Sequence, residues 1–151
     1  MNFLLIGKPN VGKSSIYNVL IKSNKSIIHK DSGTTRDWHK EIILDTSSYI
    51  YDSPGVLVND KNDNNIINHN FTNMIKNNIN VFLYVLDFNN LYNEGDFFAL
   101  KKLRKYNKPI ILVVNKCDNS VKLKSIKLDK YGINNFVLIS CAHRYGFENF
   151  K

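Results

Sequence analysis

The eight residues from Gly7 to Ser14, GKPNVGKS, constrain the fold of this chain more than any other feature. They match the pattern G-x-x-x-x-G-K-[ST], follow an apolar run at 3–6 and precede helical spacing at 14–22. A glycine-rich turn between a strand and a helix lets backbone N–H groups surround phosphate oxygens. In such a loop Lys13 adds a positive charge at the β- and γ-phosphates, and the Ser14 hydroxyl can ligate Mg²⁺. The predicted phosphate-binding residues are Gly7, Asn10, Val11, Gly12, Lys13, Ser14 and Ser15.

Apolar runs alternate with amphipathic stretches along the rest of the chain. Strands are predicted at residues 3–6, 41–44, 49–51, 81–86, 110–114 and 136–139. Helical spacing occurs at 14–22 and 97–106, and more weakly at 64–77. Four of the strands are short and nearly all apolar, as expected where both faces of a sheet are covered. The alternation predicts an α/β domain with three layers and a mostly parallel sheet.

Length and composition fit one globular domain. The chain has 151 residues, of which 43% are hydrophobic and 23% are charged, and this balance argues against disorder. Its apolar runs are far shorter than the roughly 20 residues of a membrane span. The N-terminus has no basic segment followed by a cleavage site. We therefore expect a cytoplasmic protein without a membrane partner.

The formal charge of +8 has two interpretations. A basic protein can bind RNA or the ribosome. However, 18 of the 21 basic residues are Lys and no dense basic stripe is present, so a compositional bias of the coding sequence is the stronger interpretation. Two cysteines, Cys117 and Cys141, and four scattered histidines give neither a disulfide framework nor the spacing of a metal cluster.

Two polar segments, 23–38 and 53–65, interrupt the alternation. Both are predicted to be long surface loops, and loops of this length are usually functional or mobile. The second begins with Asp52-Ser53-Pro54-Gly55, directly after the predicted strand at 49–51. At a strand's carboxyl end, Asp52 can hold Mg²⁺ through water, and the Gly55 N–H can approach a γ-phosphate because no Cβ intervenes.

A third motif, Asn115-Lys116-Cys117-Asp118, closes the strand at 110–114. The Asp118 carboxylate is suited to accept hydrogen bonds from the N1–H and the exocyclic amine of guanine, which adenine does not offer. In a chain so rich in Asn and Lys this spacing arises easily by chance. The prediction of guanine binding therefore depends on the position of the motif, directly after a strand. Ser140-Cys141-Ala142 closes the strand at 136–139 in the same way, and a backbone N–H there can meet the guanine O6.

These four motifs, in this order, resemble the translation-factor-related GTPases. The loop Gly7–Ser15 and the segment DSGTTRD at 31–37 are similar to the Der (EngA), Era and MnmE group, and LISCAHRYG at 138–146 is similar to the first G domain of the Der family. The resemblance covers nearly the whole chain. It implies a P-loop NTPase fold of the Ras-like type, with a six-stranded, mostly parallel sheet and one antiparallel edge strand. It also implies GTP and GDP as ligands and a role in assembly of the large ribosomal subunit.

The resemblance assigns three further roles. Thr35 would join Mg²⁺ only while the γ-phosphate is present. Lys116 would pack along the base and tie its loop to the phosphate loop. Asn10 would help to hold a K⁺ ion, and turnover is then expected to be stimulated by K⁺. The implied catalytic residues are Lys13, Thr35 and Gly55, and the implied Mg²⁺ ligands are Ser14, Thr35 and Asp52.

Several departures bear on mechanism. Val56 stands where Ras-like enzymes carry a Gln that orients the attacking water, so slow intrinsic hydrolysis is expected. Cys141 replaces the usual Ala but keeps its N–H. A complete Der protein has a second G domain and a KH-like domain, which would carry contacts to the ribosome or its RNA. We therefore expect residues 1–151 to form a single G domain, short of its last helix, within a longer protein.

Three classes of function remain open from the sequence. The first is a GTP-hydrolysing switch in which the two polar loops respond to the nucleotide. The second is a guanine-nucleotide-binding module with little hydrolysis, which Val56 favours. The third is a P-loop ATPase or kinase, for which ATP would compete equally with GTP. An Era- or MnmE-like enzyme acting in rRNA or tRNA maturation is the alternative within the first class.

Overall fold

The computed structural model describes residues 1–8, 10–21, 39–43, 46–52, 65–117, 128–141 and 146. Their six strands and three α-helices follow one another in the order predicted from the sequence. The elements are β1 (Asn2–Gly7), α1 (Lys13–Ile21), β2 (His39–Ile42), β3 (Tyr49–Asp52), α2 (Asn65–Asn78), β4 (Val81–Asp87), α3 (Glu94–Arg104), β5 (Ile110–Asn115) and β6 (Phe136–Leu138). Short 3₁₀ helices cover Phe88–Asn90 and Leu128–Tyr131.

The strands form one sheet in the order β2-β3-β1-β4-β5-β6. All neighbouring pairs are parallel except β2 and β3, which are antiparallel at one edge of the sheet. This confirms the predicted six-stranded, mostly parallel sheet with one antiparallel edge strand. Because the parallel strands end at the same edge, the residues that follow them are brought together there.

Side chains alternate between two cores because successive residues of a strand point to opposite faces. In β4, Leu83 and Val85 pack against α1, whereas Phe82, Tyr84 and Leu86 join residues of α2 and α3 on the other face. The helices therefore cover both faces of the sheet, which confirms the three-layer architecture. No α-helix in the described part of the chain is long and apolar enough to cross a membrane.

The structure shifts both boundaries of β2 and both boundaries of α3: β2 begins at His39 rather than at residue 41, and α3 ends at Arg104 rather than at residue 106. Helix α3 begins at Glu94, three residues earlier than its apolar spacing indicated, because the Asn93 side chain accepts a hydrogen bond from the Gly95 N–H and caps it. Strand β2 ends at Ile42 rather than at residue 44. There the Ile43 carbonyl accepts from the Thr46 N–H at 3.1 Å, so the chain has already entered the turn to β3. The two predicted polar loops fall almost wholly outside the described residues.

Candidate functional site

The predicted phosphate loop lies at the carboxyl edge of the sheet. It leaves β1 at Gly7 and enters α1 at Lys13. The Ile16 N–H makes the first helical hydrogen bond, to the Gly12 carbonyl at 3.0 Å. The first N–H groups of an α-helix have no acceptor within the helix, and here they belong to Lys13, Ser14 and Ser15. This arrangement directs backbone N–H groups and the positive end of α1 towards the loop, as a phosphate site requires.

Both the backbone conformation at position 12 and the close approach of the Asn115 side chain require a glycine there. Its φ is +93°, a conformation that residues with a Cβ rarely adopt, and a Cβ placed there would lie 2.3 Å from Asn115 Nδ2. Asn10 also has a positive φ, 68°, which Asn tolerates better than most residues. The turn therefore gives Asn10 a backbone role that is independent of any ion.

Asn115 links the phosphate loop to the segment after β6. Its Nδ2 donates to the Val11 carbonyl at 3.0 Å, and its Oδ1 accepts from the Cys141 N–H at 3.2 Å. The residue is only 3% exposed. Both ends of the predicted nucleotide site are thus held by one buried side chain. Ser140 is also buried. The side chains of Asn115 and Ser140 therefore support the loops of the predicted site from the protein interior.

Lys116 makes the tie to the phosphate loop that the family resemblance implied. Its Nζ donates to the Asn10 carbonyl at 2.9 Å and pairs with Asp87 Oδ2 at 3.0 Å. Asp87 ends β4, and its other carboxylate oxygen accepts from the Asn89 N–H at 2.8 Å. Lys116 therefore joins the ends of β4 and β5 to the loop. Asp87 was not predicted, although a carboxylate directly after an apolar strand at this edge is a signal that could have found it.

Two of the predicted Mg²⁺ ligands, Ser14 and Asp52, lie near the start of α1. Asp52 is the last residue of β3 and pairs in register with Leu5, two residues before the loop. Burial lowers the pKa of Lys13, and the Asp52 carboxylate acts in the opposite direction, so the two charges are close enough to interact. Ser14 and Ser15 are exposed on the loop. A hydroxyl and a carboxylate are hard oxygen donors of the kind that Mg²⁺ prefers.

The remaining predicted site residues lie outside the described part of the chain. They are Thr35, Gly55, Asp118 and Ala142, and Val56 lies outside it as well. Their roles stay predictions from the sequence. The Cys141 N–H, which was predicted to be available to guanine, is engaged by Asn115 in this structure. Burial raises the pKa of the Cys141 thiol to about 11, so this side chain is a neutral thiol near pH 7.

We expect Asn115→Ala to weaken GDP binding by about 10-fold or more, because two buried backbone groups lose their partner at a cost of about 1–3 kcal/mol each. The same loss should lower the midpoint of thermal unfolding. Titration with a fluorescent GDP analogue and a melting curve measure the two effects. Asn90→Ala, at an exposed position near the same sheet edge, is the control. Wild-type affinity in Asn115→Ala would contradict the bracing role.

The fold and the phosphate loop together define a P-loop nucleotide-binding domain. The model of the family described as 50S ribosome-binding GTPase matches residues 2–116. The chain belongs to this GTPase family.

Relatives and solved structures agree with this assignment. GTPase Der from Campylobacter lari is 34% identical over 97% of the chain, and the chain spans about a third (32%) of that relative's length. The FeoB G-domain from Methanococcus jannaschii is 26% identical, with a TM-score of 0.70, 99% of this chain covered and 91% of that one. NFeoB from S. thermophilus, solved bound to GDP·AlF₄⁻ and K⁺, is 22% identical with a TM-score of 0.71, covering 99% of this chain and 58% of that one.

Proposed function

We propose that this chain binds GTP and GDP along the carboxyl edge of its sheet and hydrolyses GTP to GDP and phosphate as a conformational switch. The observation that carries the proposal is the loop GKPNVGKS, held at this edge by Asn115 and Lys116 in a chain of the GTPase family. Lys13 and the N-terminus of α1 would bind the phosphates. Asp118 and the segment Ser140-Cys141-Ala142 would bind the guanine.

In the proposed site, Ser14, Thr35 and Asp52 would hold Mg²⁺, which supplies neutralisation of charge between the β- and γ-phosphates when bound. The Lys13 ammonium would neutralise part of the same phosphate charge. The Gly55 N–H would approach the γ-phosphate. The segments that contain Thr35 and Gly55 would then respond to whether the γ-phosphate is present, and this response is the proposed switch.

The partner of the switch is proposed from the family and the relatives. The family description names the 50S ribosome, and the relatives are Der GTPases about three times as long as this chain. We infer a role in assembly of the large ribosomal subunit, with ribosome or rRNA contacts made in part by segments beyond these residues. The net charge of +8 is compatible with such a partner.

Single-turnover phosphate release from GTP, with Mg²⁺ present, tests hydrolysis directly. We expect release above the protein-free rate, and none above it for Lys13→Ala. A second candidate function, nucleotide binding with little hydrolysis, is favoured by Val56, because an apolar side chain cannot orient water by a hydrogen bond. Tight GDP binding without phosphate release would support this second function and overturn the first.

We also propose that K⁺ supplies part of the charge stabilisation that Val56 does not. The sequence places Asn10 in the loop, and the structurally similar NFeoB was solved bound to GDP·AlF₄⁻ and K⁺. We expect hydrolysis to be faster in KCl than in NaCl by on the order of 100-fold, the lower end of the effect of losing one electrostatic contact to a transition state. Asn10→Ala should reduce the difference. Equal rates in both salts would contradict the K⁺ site.

A further inference from the structure

A buried polar network connects the phosphate loop to α3. It consists of Lys8, in the loop, Asn93 and Asp96, at the start of α3, and Tyr84, in β4. Lys8 Nζ donates to Asn93 Oδ1 and lies 3.9 Å from Asp96 Oδ2, and the Tyr84 hydroxyl donates to Asp96 Oδ1 at 2.8 Å. None of these four residues was predicted as functional, and they contact the loop at Lys8, whereas Asn115 and Lys116 contact it at the Val11 and Asn10 carbonyls.

Asp96 is placed where an ionised carboxylate is costly. It is only 3% exposed, and burial raises its pKa, while the Tyr84 hydrogen bond and the Lys8 charge act in the opposite direction. A buried carboxylate is tolerated when it is paired and hydrogen-bonded. The groups that face it are Tyr84 from β4, Lys8 from the loop and Tyr131 from the second 3₁₀ helix. Lys8 is the cation among them.

The position of the Lys8 ammonium is also electrostatically unfavourable unless other groups compensate for it. Its ammonium lies at the N-terminus of α3, where the helix dipole disfavours a positive charge. Asn93 Oδ1, which also accepts from the Gly95 N–H at 2.8 Å, and the Asp96 carboxylate offset that cost. Gly95 leaves the necessary space, because a Cβ there would lie 2.8 Å from Lys8 Nζ.

We propose that Asp96 is a positioning residue for nucleotide binding, which acts by anchoring Lys8 and with it the first part of the phosphate loop. The loop is then fixed on both sides, by Lys8 at α3 and by the Asn10 and Val11 carbonyls at β5. A loop fixed before the ligand arrives loses less conformational entropy on binding. This inference rests on the proposed nucleotide binding and assigns a function to a part of the fold that does not touch the nucleotide.

The test compares Asp96→Asn, Lys8→Met and the double variant in the full-length protein, with Glu94→Gln as the matched control. Glu94 is exposed in the same helical turn and lies outside the network. We expect each single variant to raise the Kd of a fluorescent GDP analogue by about 5- to 30-fold, and the double variant to add little further because both changes break one anchor. Glu94→Gln should bind as the wild type does.

Unfolding without nucleotide separates positioning from a general loss of stability. A raised folded-state pKa means that ionised Asp96 costs stability as the pH rises through that pKa, whereas Asn carries no such cost. Asp96→Asn removes this cost but also leaves the Lys8 ammonium without its carboxylate partner, so its melting temperature at neutral pH should stay close to that of the wild type. Affinity should therefore fall without a matching fall in melting temperature.

Four results overturn the inference. Wild-type affinity in Asp96→Asn would mean that Asp96 does not anchor the loop for binding. A melting temperature that falls together with the affinity would mean that Asp96 contributes to stability only. A double variant whose loss is the product of the two single losses separates Asp96 from Lys8. Absence of GDP binding by the wild type itself would overturn the proposed function, and the inference with it.

Discussion

Lys13→Ala should lower the affinity for GTP and GDP by at least about 100-fold, because the phosphate charges lose a half-buried cation at the start of α1. The other lysine of the described loop, Lys8, is tied to α3 and is not placed to substitute. Burial already lowers the pKa of Lys13, so removing its ammonium is not expected to unfold the protein. Titration calorimetry with GDP measures the loss.

Lys101→Ala is the matched control, since it removes one lysine charge from an exposed position on α3. It should bind GDP with the wild-type affinity if the effect of Lys13 is local. An equal loss in both variants would mean that overall positive charge attracts the nucleotide. Unchanged GDP binding in Lys13→Ala would mean that this loop does not bind the phosphates of the nucleotide.

Asp118→Asn should exchange guanine for xanthine as the preferred base. The carboxylate is proposed to accept from the N1–H and the amine of guanine, whereas an Asn amide can pair with the additional carbonyl of xanthine. A site built around hydrogen bonds discriminates strongly against a base that leaves them unpaired. We expect GDP affinity to fall by about 100-fold or more while binding of xanthosine diphosphate rises.

The control for this exchange is Asp129→Asn, at an exposed position in the second 3₁₀ helix. It should leave the preference for GDP unchanged. Equal weakening of GDP and xanthosine diphosphate by Asp118→Asn would mean that Asp118 supports the site without reading the base.

Much of the fold follows from local patterns in the sequence. Short, nearly all-apolar runs predicted four of the six strands, because strands covered on both faces have no polar side to alternate with. The start of α3 was missed because Asn93 sets it through a cap, whereas apolar spacing marks only the residues that face the core. The turn after Ile42 was missed for a similar reason, since its limit is set by hydrogen bonds around Thr46.

The site was predictable only where function imposes a local motif. The loop at 7–14 and the residues Asn115 and Lys116 belong to such motifs, and the structure brings them together. The network of Lys8, Asn93 and Asp96 has no local pattern, because Lys8 and Asn93 lie 85 positions apart and meet only through the fold. A buried Asp at helical spacing also looks, in the sequence alone, like an ordinary residue of the first helical turn.

Competition between GTP and ATP for a bound fluorescent GDP analogue tests the central claim most directly. We expect GTP to displace the analogue at concentrations at least about 100-fold lower than ATP, because a site that hydrogen-bonds guanine leaves buried groups unpaired with adenine. Equal displacement by ATP and GTP would contradict it, and would leave a P-loop ATPase or kinase as the function of this chain.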